Sequence, residues 1–290
     1  MPETVQPIPP RVVDAAVLAA LEEDGAYDDV TTRALVDPAR WGSGTFTAKE
    51  TGVIAGLPVS AAAMTALDST VSFDALVQEG AIARPGDQLA EVEGPLSVIL
   101  AAERVALNFL QRLSGIASLT RDYVDAVAHT RARILDTRKT TPGLRQLERY
   151  AVRVGGGRNH RFNLADGVLI KDNHITAARQ AGAVHLGQIV SQARAAAPHA
   201  MRIEIEVTTV EEAEEAADGG ADVILLDNMP PEEIRSAVEV IAGRALVEAS
   251  GGVTLETVRA VAEAGVDFIS VGRLTHSAPA LDISLEVSGL

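Results

Sequence analysis

Charged side chains and glycines stand at the ends of short β-rich runs in the second half of the sequence. Arginine and lysine at such positions can bind carboxylates or phosphates. Acids can hold Mg²⁺, contact sugar hydroxyls or oppose a developing positive charge. Because the carboxyl ends of parallel strands meet at one edge of a sheet, we expect one active site there. The groups are Thr137-Arg138-Lys139, Lys171-Asp172, Glu206, Asp227, Ser250-Gly251-Gly252 and Gly272-Arg273.

The charge of the chain is unevenly distributed. The net charge is −15, yet residues 131–174 contain ten Lys or Arg and only four Asp or Glu. A local concentration of cations in an acidic protein indicates a site for a small, highly charged anion. Two of the three lysines, Lys139 and Lys171, lie in this segment of an arginine-rich chain. Lysine is a compact point charge with a tunable pKa, so codon bias does not account for these two positions.

Glycine-rich turns have two predicted roles. Ser250-Gly251-Gly252 precedes a helical segment, so backbone amides and the helix dipole could cradle a phosphate, although such turns are also common in ordinary loops. Gly272-Arg273 after the next run favours the phosphate interpretation. Gly155-Gly156-Gly157 lacks the strand-to-helix context of a dinucleotide site. We interpret it as a hinge that lets Asn159-His160-Arg161 fold over the site.

Residue spacing leaves three assignments open. Glu204 lies two residues before Glu206 and faces the same side of its strand, so both are candidates. His160 is either an anion ligand or a structural histidine whose hydrogen bonds are satisfied. Arg104 begins a polar stripe on a long helix, which is more often a solvated face; the stripe continues with Asn108, Gln111 and Arg112.

The order of elements predicts a mixed first domain and a β/α second domain. A helix over 11–23, extended segments, and a long helix after Pro95 with a break at Gly115 occupy residues 1–115. Residues 116–275 alternate β-rich runs with amphipathic helices, which is typical of a parallel sheet. Six such units favour an incomplete β/α barrel, with a flat doubly wound sheet as the alternative. The tail, about 276–290, is expected to pack back on the first domain. The predicted runs cover residues 133–136, 167–170, 202–207, 222–226, 245–248 and 267–271.

Composition excludes several classes of protein. With no cysteine, the chain has no disulfide, thiolate nucleophile or cysteine-containing metal site. Its apolar runs are shorter than the ~18 residues that a membrane span needs, and residues 1–10 lack the pattern of a signal peptide. The negative charge and 3% aromatic content disfavour nucleic-acid binding. We expect a cytoplasmic protein that binds neither membranes nor nucleic acids.

Several motifs, in order along nearly the whole chain, resemble the quinolinate phosphoribosyltransferase family. The most specific block is Leu135-Asp136-Thr137-Arg138-Lys139-Thr140-Thr141-Pro142-Gly143. The other matching segments are residues 21–24, 29–31, 103–108, 113–117, 155–161, 170–174, 226–228 and 250–252. The resemblance implies an N-terminal α/β sandwich domain, a C-terminal open β/α barrel, and a homodimer or larger assembly.

The resemblance also implies a reaction. The family transfers the phosphoribosyl group of phosphoribosyl pyrophosphate to quinolinate in the presence of Mg²⁺. It releases pyrophosphate and CO₂ and forms nicotinate mononucleotide, a precursor of NAD. The pyridine nitrogen attacks the anomeric carbon through an oxocarbenium-like transition state, and the 2-carboxylate is then lost. No direct metal ligand follows from the sequence.

Residue roles follow from the same resemblance. The two carboxylates of quinolinate are expected to bind Arg138, His160, Arg161 and Lys171, with Arg104 supplied by the neighbouring subunit. Thr137 and Lys139 are further expected substrate-binding residues. Phosphates are expected at Lys139, Lys171, Ser250, Gly251, Gly252, Val271, Gly272 and Arg273. The expected catalytic residues are Lys139, Lys171, Glu206 and Asp227. Glu206 is thus chosen over Glu204 by analogy only.

Departures from the family pattern and rival functions complete the analysis. Asp28 stands where the family often has glycine, and Arg273 where a small residue is usual. A Schiff-base barrel aldolase would explain Lys171 but not the surrounding cations. A non-catalytic or altered-specificity paralogue that binds a small oxyanion is the other alternative.

Overall fold

A computed structural model describes residues 5–288 of the chain, which divide into two compact units. The first unit comprises residues 5–121, 140–156 and 273–288, and the second comprises 122–139 and 157–272. This division differs from the expected boundary at 115 chiefly because residues 140–156 belong to the first unit. Residues 289 and 290 of the expected tail lie outside the described residues.

The described residues form twelve strands and eleven α-helices. The strands are β1 Trp41–Ala48, β2 Gly52–Val53, β3 Ser72–Ala75, β4 Ile82–Ala83, β5 Gln88–Pro95, β6 Arg133–Leu135, β7 Val168–Ile170, β8 Ile203–Val207, β9 Val223–Asp227, β10 Leu246–Ser250, β11 Phe268–Ser270 and β12 Ile283–Ser288. The helices are α1 Pro10–Asp24, α2 Val30–Leu35, α3 Leu57–Ala66, α4 Leu96–Val127, α5 Arg145–Val154, α6 Asp172–Gln180, α7 Leu186–Ala196, α8 Val210–Asp218, α9 Pro231–Ile241, α10 Val258–Glu263 and α11 Arg273–His276.

The first unit is built on a four-stranded antiparallel sheet in the order β12-β1-β5-β3. Alternate residues of β1 are buried, as expected for a sheet with one face against a core. Phe46 on this face contacts Phe73 with a centroid separation of 5.5 Å. Strand β12 comes from the C-terminal end of the described chain and pairs with β1 from Ser43 to Ala48.

Helix α4 runs through Gly115, where the sequence suggested a break. A Cβ atom at this position would lie 1.9 Å from the carbonyl oxygen of Pro279. The glycine therefore permits a close backbone approach and does not end the helix. The predicted break was wrong because the contact that explains the glycine comes from a segment more than 160 residues away in the sequence.

The stripe on α4 is only partly solvated. Arg104 and Asn108 are exposed. Gln111 donates to the carbonyl of Ile283 at 2.7 Å, and Arg112 pairs at 2.9 Å with Glu148, which is fully buried. The solvated-face interpretation holds for the first two residues and is wrong for the other two, which fasten α4 within the first unit.

The second unit contains six parallel strands in the order β6-β11-β10-β9-β8-β7. This is sequence order around a ring, with the one unpaired interval of these six strands between β6 and β7. A doubly wound sheet would reverse direction within its strand order. The expected open barrel is confirmed and the doubly wound alternative is wrong.

The open edge of β6 is covered by a short segment of backbone. Leu135 forms an isolated parallel bridge with Arg158, and the Arg158 amide donates to the Ile134 carbonyl at 2.8 Å. This pairing satisfies β6 backbone groups that the missing neighbour strand would otherwise bind.

None of the helices in the described residues is long and apolar enough to cross a membrane.

Candidate active site

The carboxyl ends of the six barrel strands carry the predicted polar residues. Lys171 follows β7, Glu206 is the penultimate residue of β8, and Asp227 ends β9. Ser250 ends β10, Thr137 lies two residues beyond β6, and Val271-Gly272 follows β11. Because the strands are parallel, all of these residues lie at one end of the barrel, which we call the rim.

A lysine and a glutamate meet at the rim. The Nζ of Lys171 donates to Oε2 of Glu206 at 2.8 Å, and the Lys171 side chain is 45% exposed. The Lys171 backbone amide donates to Nδ1 of His174 at 3.0 Å, at the start of α6. His174 thus caps a helix, and its side chain holds the backbone from which Lys171 projects.

The ends of β9 and β10 are locked together by an asparagine and a glycine. Asn228 has a left-handed backbone (φ 55°), and its amide donates to the Ser250 carbonyl at 2.9 Å. A Cβ on Gly251 (φ +90°) would lie 2.3 Å from Oδ1 of Asn228. Asn228 also donates to Asp227 at 2.7 Å, which orients that carboxylate. Glycine is therefore required at position 251 for both space and conformation.

The glycine turn does not lead directly into a helix, contrary to prediction. Helix α10 begins at Val258 and has six residues. Before it, the Thr254 amide donates to Oγ1 of Thr257 at 2.9 Å. This side-chain turn delays the helix, so the phosphate argument at Ser250-Gly251-Gly252 rests on the left-handed glycines and not on a helix dipole.

Cations gather at the ends of β6 and of the segment that covers it. The Lys139 amide donates to Oγ1 of Thr137 at 3.1 Å, and its side chain is exposed. Arg161 donates to the Gly167 carbonyl at 2.9 Å. Burial lowers the pKa of Arg161, nearby Arg138 lowers it further, and Glu204 opposes both effects. Two arginines thus lie close enough to repel each other, and a bound anion would relieve that repulsion.

Asp136 positions the loop that carries His160. This buried aspartate follows β6 and accepts from the backbone amide of His160 at 2.8 Å and from Nδ2 of Asn159 at 2.5 Å. The sequence analysis missed its role, although an acid immediately after an apolar run was a visible signal. Nearby Gly155 also differs from the hinge interpretation, since its Cβ would lie 2.4 Å from the Ala117 carbonyl oxygen. Close packing explains that glycine.

His160 points into the barrel and contacts two glutamates. Its Nε2 lies 3.2 Å from Oε2 of Glu204 and 3.5 Å from Oε1 of Glu248. The Glu248 side chain is 2% exposed, and Ser270 donates to it. The Arg161 amide donates to Nδ1 of His160 at 2.7 Å. We call His160, Glu204 and Glu248 the buried cluster.

Both ring nitrogens of His160 are thus engaged inside the protein, which agrees with the structural-histidine alternative. Burial of the ring opposes its charged form, but the hydrogen bond to Glu204 and the charges of Glu248, Glu204 and Asp136 outweigh burial and raise the pKa of His160. Burial, followed by the charge of Glu204, raises the pKa of Glu248 to about 7. Sequence analysis missed Glu248, which stood at the end of a predicted apolar run.

The chemistry of the side chains decides where a metal ion could bind. The ligand atoms of the buried cluster lie within 4.8 Å of one another. Nδ1 of His160 accepts from the Arg161 amide, so Nε2 carries the proton of the neutral ring and would have to lose it before it could bind a metal. Mg²⁺ prefers oxygen ligands and commonly uses one carboxylate together with substrate phosphates. Asp227, oriented at the rim by Asn228, fits that requirement.

Two predicted site residues belong to the first unit. Arg104 and Arg273 are both exposed. Arg273 begins the four-residue helix α11. Exposure of Arg104 in a single chain agrees with the requirement that it be able to reach a second subunit, while its partner there stays a prediction.

Comparison with known proteins covers both units. Residues 29–114 match the family model described as quinolinate phosphoribosyl transferase, N-terminal domain, and residues 116–286 match the C-terminal domain. The chain is 45% identical over 241 residues to a probable nicotinate-nucleotide pyrophosphorylase (carboxylating) of Bacillus subtilis, covering 83% of this chain and 82% of the relative. It is 42% identical over 280 residues to the corresponding protein of Mycobacterium leprae, covering 92% and 94%.

Solved structures give the same result. NadC from Streptococcus pyogenes is 44% identical, with a TM-score of 0.92 over 98% of this chain and 99% of that one. The nicotinate-nucleotide pyrophosphorylase from Francisella tularensis is 33% identical, with a TM-score of 0.90 over 99% and 100%. Both family models, these relatives and the open barrel with its charged rim agree: the chain belongs to the quinolinate phosphoribosyltransferase family.

Proposed function

We propose that this protein transfers the phosphoribosyl group of phosphoribosyl pyrophosphate to quinolinate, with release of pyrophosphate and CO₂, and forms nicotinate mononucleotide. The observation that carries the proposal is the rim, where Lys171 pairs with Glu206 and cations on two further segments lie at the same end of the barrel as Asp227. Relatives at 40–45% identity carry this activity in their names. The oxyanion-binding paralogue lacks comparable support, because the residues of the family motifs are present apart from the departures at Asp28 and Arg273.

Quinolinate carries two carboxylates next to each other, and the site offers matched cations. Arg138 and Arg161 can each form a two-point contact with a carboxylate. Lys171 can supply a point charge after it leaves Glu206. A substrate with one carboxylate would leave part of this positive charge unpaired in a partly buried site, so nicotinate should be rejected.

Glu206 and Asp227 fit the ribose side of the reaction. Nucleophilic attack by the pyridine nitrogen and departure of pyrophosphate leave positive charge on the anomeric carbon. Carboxylates already fixed by Lys171 and Asn228 can oppose that charge without reorganising. Lys139 and the glycine turn of β10 are suited to the departing pyrophosphate. The ring nitrogen then bears positive charge, which favours loss of the 2-carboxylate as CO₂ because it stabilises the electron pair left on C2. A proton from solvent then adds to C2.

Mg²⁺ is part of the proposal as a companion of phosphoribosyl pyrophosphate. When bound, it would neutralise charge on the pyrophosphate leaving group, and Asp227 is the residue of this chain best suited to hold it. Catalysis at the full rate after chelation of divalent cations would contradict the proposed role of Mg²⁺.

A homodimer or larger assembly is also proposed, with Arg104 supplied across the interface. Exposed apolar side chains in the first unit support it: Val30 is 76% and Leu35 is 80% exposed, and both lie on α2. Sedimentation tests the assembly. Mixing inactive Arg104→Ala and Lys139→Ala subunits tests whether Arg104 acts across the interface. In a mixed dimer, one site would then contain both an intact Arg104 and an intact Lys139, so part of the activity should return.

The location of the protein and the boundary between its domains are also part of the proposal. A cytoplasmic location is proposed here, whereas relatives from Nicotiana tabacum and Arabidopsis thaliana are named mitochondrial and chloroplastic. We propose that two sequence domains meet near residue 115. This position coincides with the junction of the two family matches.

The experiment mixes purified protein with quinolinate, phosphoribosyl pyrophosphate and Mg²⁺ and follows nicotinate mononucleotide by chromatography. Parallel reactions replace quinolinate with nicotinate or omit Mg²⁺. Product from quinolinate alone supports the proposal. Product from nicotinate contradicts the dicarboxylate recognition, and no product from folded protein favours the oxyanion-binding paralogue. Borohydride trapping with carbonyl substrates tests the aldolase, for which Lys171 would first have to leave Glu206.

A further inference from the structure

The barrel interior contains a charged layer directly beneath the rim. Residues two apart on a strand face the same side, so Glu204 lies below Glu206, and Glu248 lies below Ser250. The step is about 7 Å. Layers inside β/α barrels are normally filled with bulky apolar side chains. Two acids and a histidine at this level are costly unless they are paired, which indicates a role connected with the rim above.

The hydrogen bonds of His160 fix how the cluster carries protons. Nδ1 accepts from the Arg161 amide at 2.7 Å, so the proton of the neutral ring is on Nε2, facing Glu204 and Glu248. Two carboxylates that share one site cannot both ionise freely, and one holds a proton to higher pH. The cluster therefore carries one negative charge with the additional proton and two without it. While the Arg161 amide donates to Nδ1 of His160, the ring has no site for a second proton, so the additional proton resides on a carboxyl group.

The cluster is coupled to the anion-binding cations through one residue. Arg161 follows His160 in the chain, and its backbone amide donates to the His160 ring. The charges of Arg138 and Glu204 act on its guanidinium in opposite directions. The charged groups that face the cluster are Asp136 at the end of β6, Glu204 on β8, Glu248 on β10, and Arg161 with Arg138 beside it. A second negative charge in the cluster would offset part of the positive potential at the rim.

We propose that His160, Glu204 and Glu248 hold a shared proton that sets the affinity of the rim for dianionic quinolinate, with His160 acting as a positioning residue and not as a direct ligand. With the proton in place, Arg138 and Arg161 keep their full attraction for the dianion. Loss of the proton weakens it. This inference rests on the proposed function for the identity of the anion but not for the existence of the shared proton.

The position of the titration sets the expected pH profile. The pKa of Glu248, raised by burial to about 7, places the change near neutral pH. A charge about 7 Å from the site, screened as strongly as in water, changes the affinity for a dianion by about tenfold. By linkage, bound quinolinate raises the pKa of the cluster by about one unit. The affinity therefore falls as the pH rises above about 7 and becomes constant again above about pH 8. Between these limits, binding draws in about half a proton.

The experiment measures the affinity for quinolinate by isothermal titration calorimetry from pH 6 to 8.5. At pH 7.5 the titration is repeated in buffers of different ionisation enthalpy, which gives the number of protons taken up on binding. Wild-type protein should bind about tenfold more weakly at high pH and take up protons at pH 7.5. Glu248→Gln should bind with nearly constant affinity and no proton uptake. Glu232→Gln, which removes an exposed acid on α9, should behave as wild type. If quinolinate binds only after phosphoribosyl pyrophosphate, its KM replaces the dissociation constant.

Infrared difference spectroscopy separates failure of this inference from failure of the proposed function. A protonated carboxyl band should disappear as the pH rises through about 7 in wild type and be absent in Glu248→Gln. Wild type without that band, or with equal proton uptake in Glu248→Gln, overturns the shared proton. The band without any quinolinate turnover overturns the proposed function alone. If Glu248→Gln fails to fold, Glu204→Gln serves instead, since it removes the other carboxylate that shares the proton; an unchanged pH profile there overturns the inference.

Discussion

The Nζ of Lys171 and Oε2 of Glu206 lie 2.8 Å apart and join the ends of neighbouring strands β7 and β8. The pair links a cation expected to bind anions with an acid expected to face the ribose. Each fixes the other before substrate arrives, so the carboxylate is already oriented when positive charge develops. A carboxylate or phosphate of the substrate can then replace Glu206 as the partner of Lys171. The Glu206 carboxylate is then close to the positive charge that develops on the ribose.

The first prediction concerns two of the chain's three lysines, Lys139 and Lys49. Lys139→Ala should lower kcat about 100-fold or more, because it removes a cation from the departing pyrophosphate. It should leave urea unfolding unchanged, since the side chain is exposed. The matched control is Lys49→Ala, which breaks only an exposed pair with Glu286 and should keep full turnover. Retained activity in Lys139→Ala would exclude this lysine from the site.

The second prediction concerns the rim glycine. Gly251→Ala should destabilise the protein and raise the KM for phosphoribosyl pyrophosphate, because its Cβ would meet Asn228 Oδ1 at 2.3 Å. Gly243 has a similar left-handed φ of +75° and open space around it. Gly243→Ala should therefore cost only the backbone strain of about 1–2 kcal/mol, with an unchanged KM. Equal effects of both substitutions on unfolding and KM would contradict the assigned contact.

The third prediction concerns Gly115 inside α4. Helix propensity alone favours alanine over glycine by about 1 kcal/mol. The 1.9 Å approach of the Pro279 carbonyl reverses this expectation, because backbone must move and overpacking costs about 1–3 kcal/mol. Gly115→Ala should therefore lower the free energy of unfolding in urea. A more stable variant would show that Pro279 does not pack there.

The fourth prediction concerns the pH dependence of stability. The folded-state pKa of Glu248, about 7, lies above the unfolded value of about 4.3. The folded state binds more protons between these values, so this group makes the free energy of unfolding fall as pH rises from about 5 to 7. Glu248→Gln should lose that dependence, whereas the exposed-acid variant Glu232→Gln should keep it. A pH-independent difference between wild type and Glu248→Gln would contradict the raised pKa.

Local pattern was enough to predict the barrel and the residues at its rim. Short β-rich runs and intervening helices defined the strands within one or two residues, and parallel strands bring their carboxyl ends to the same end of the barrel. Separating Glu204 from Glu206 was beyond this logic, because both face inward. The structure distinguishes them by depth: Glu206 meets Lys171 at the rim, whereas Glu204 meets His160 below it.

Features that depend on distant segments could not be predicted from local sequence. Gly115 resembles a helix end until Pro279 is placed beside it. The β10 glycine turn resembles a helix start until the Thr254–Thr257 turn is seen. Glu248 was the exception, since an acid two residues before Ser250, at an inward position, signalled a buried charge that the analysis overlooked.

The most direct test of the central claim is the stoichiometry of products from quinolinate labelled with ¹³C in its 2-carboxylate. The account predicts equal amounts of labelled CO₂, pyrophosphate and nicotinate mononucleotide. It predicts no labelled CO₂ when phosphoribosyl pyrophosphate is omitted, because decarboxylation follows the positive charge that the transfer creates. Labelled CO₂ without phosphoribosyl pyrophosphate, or nucleotide that retains the label, would contradict it.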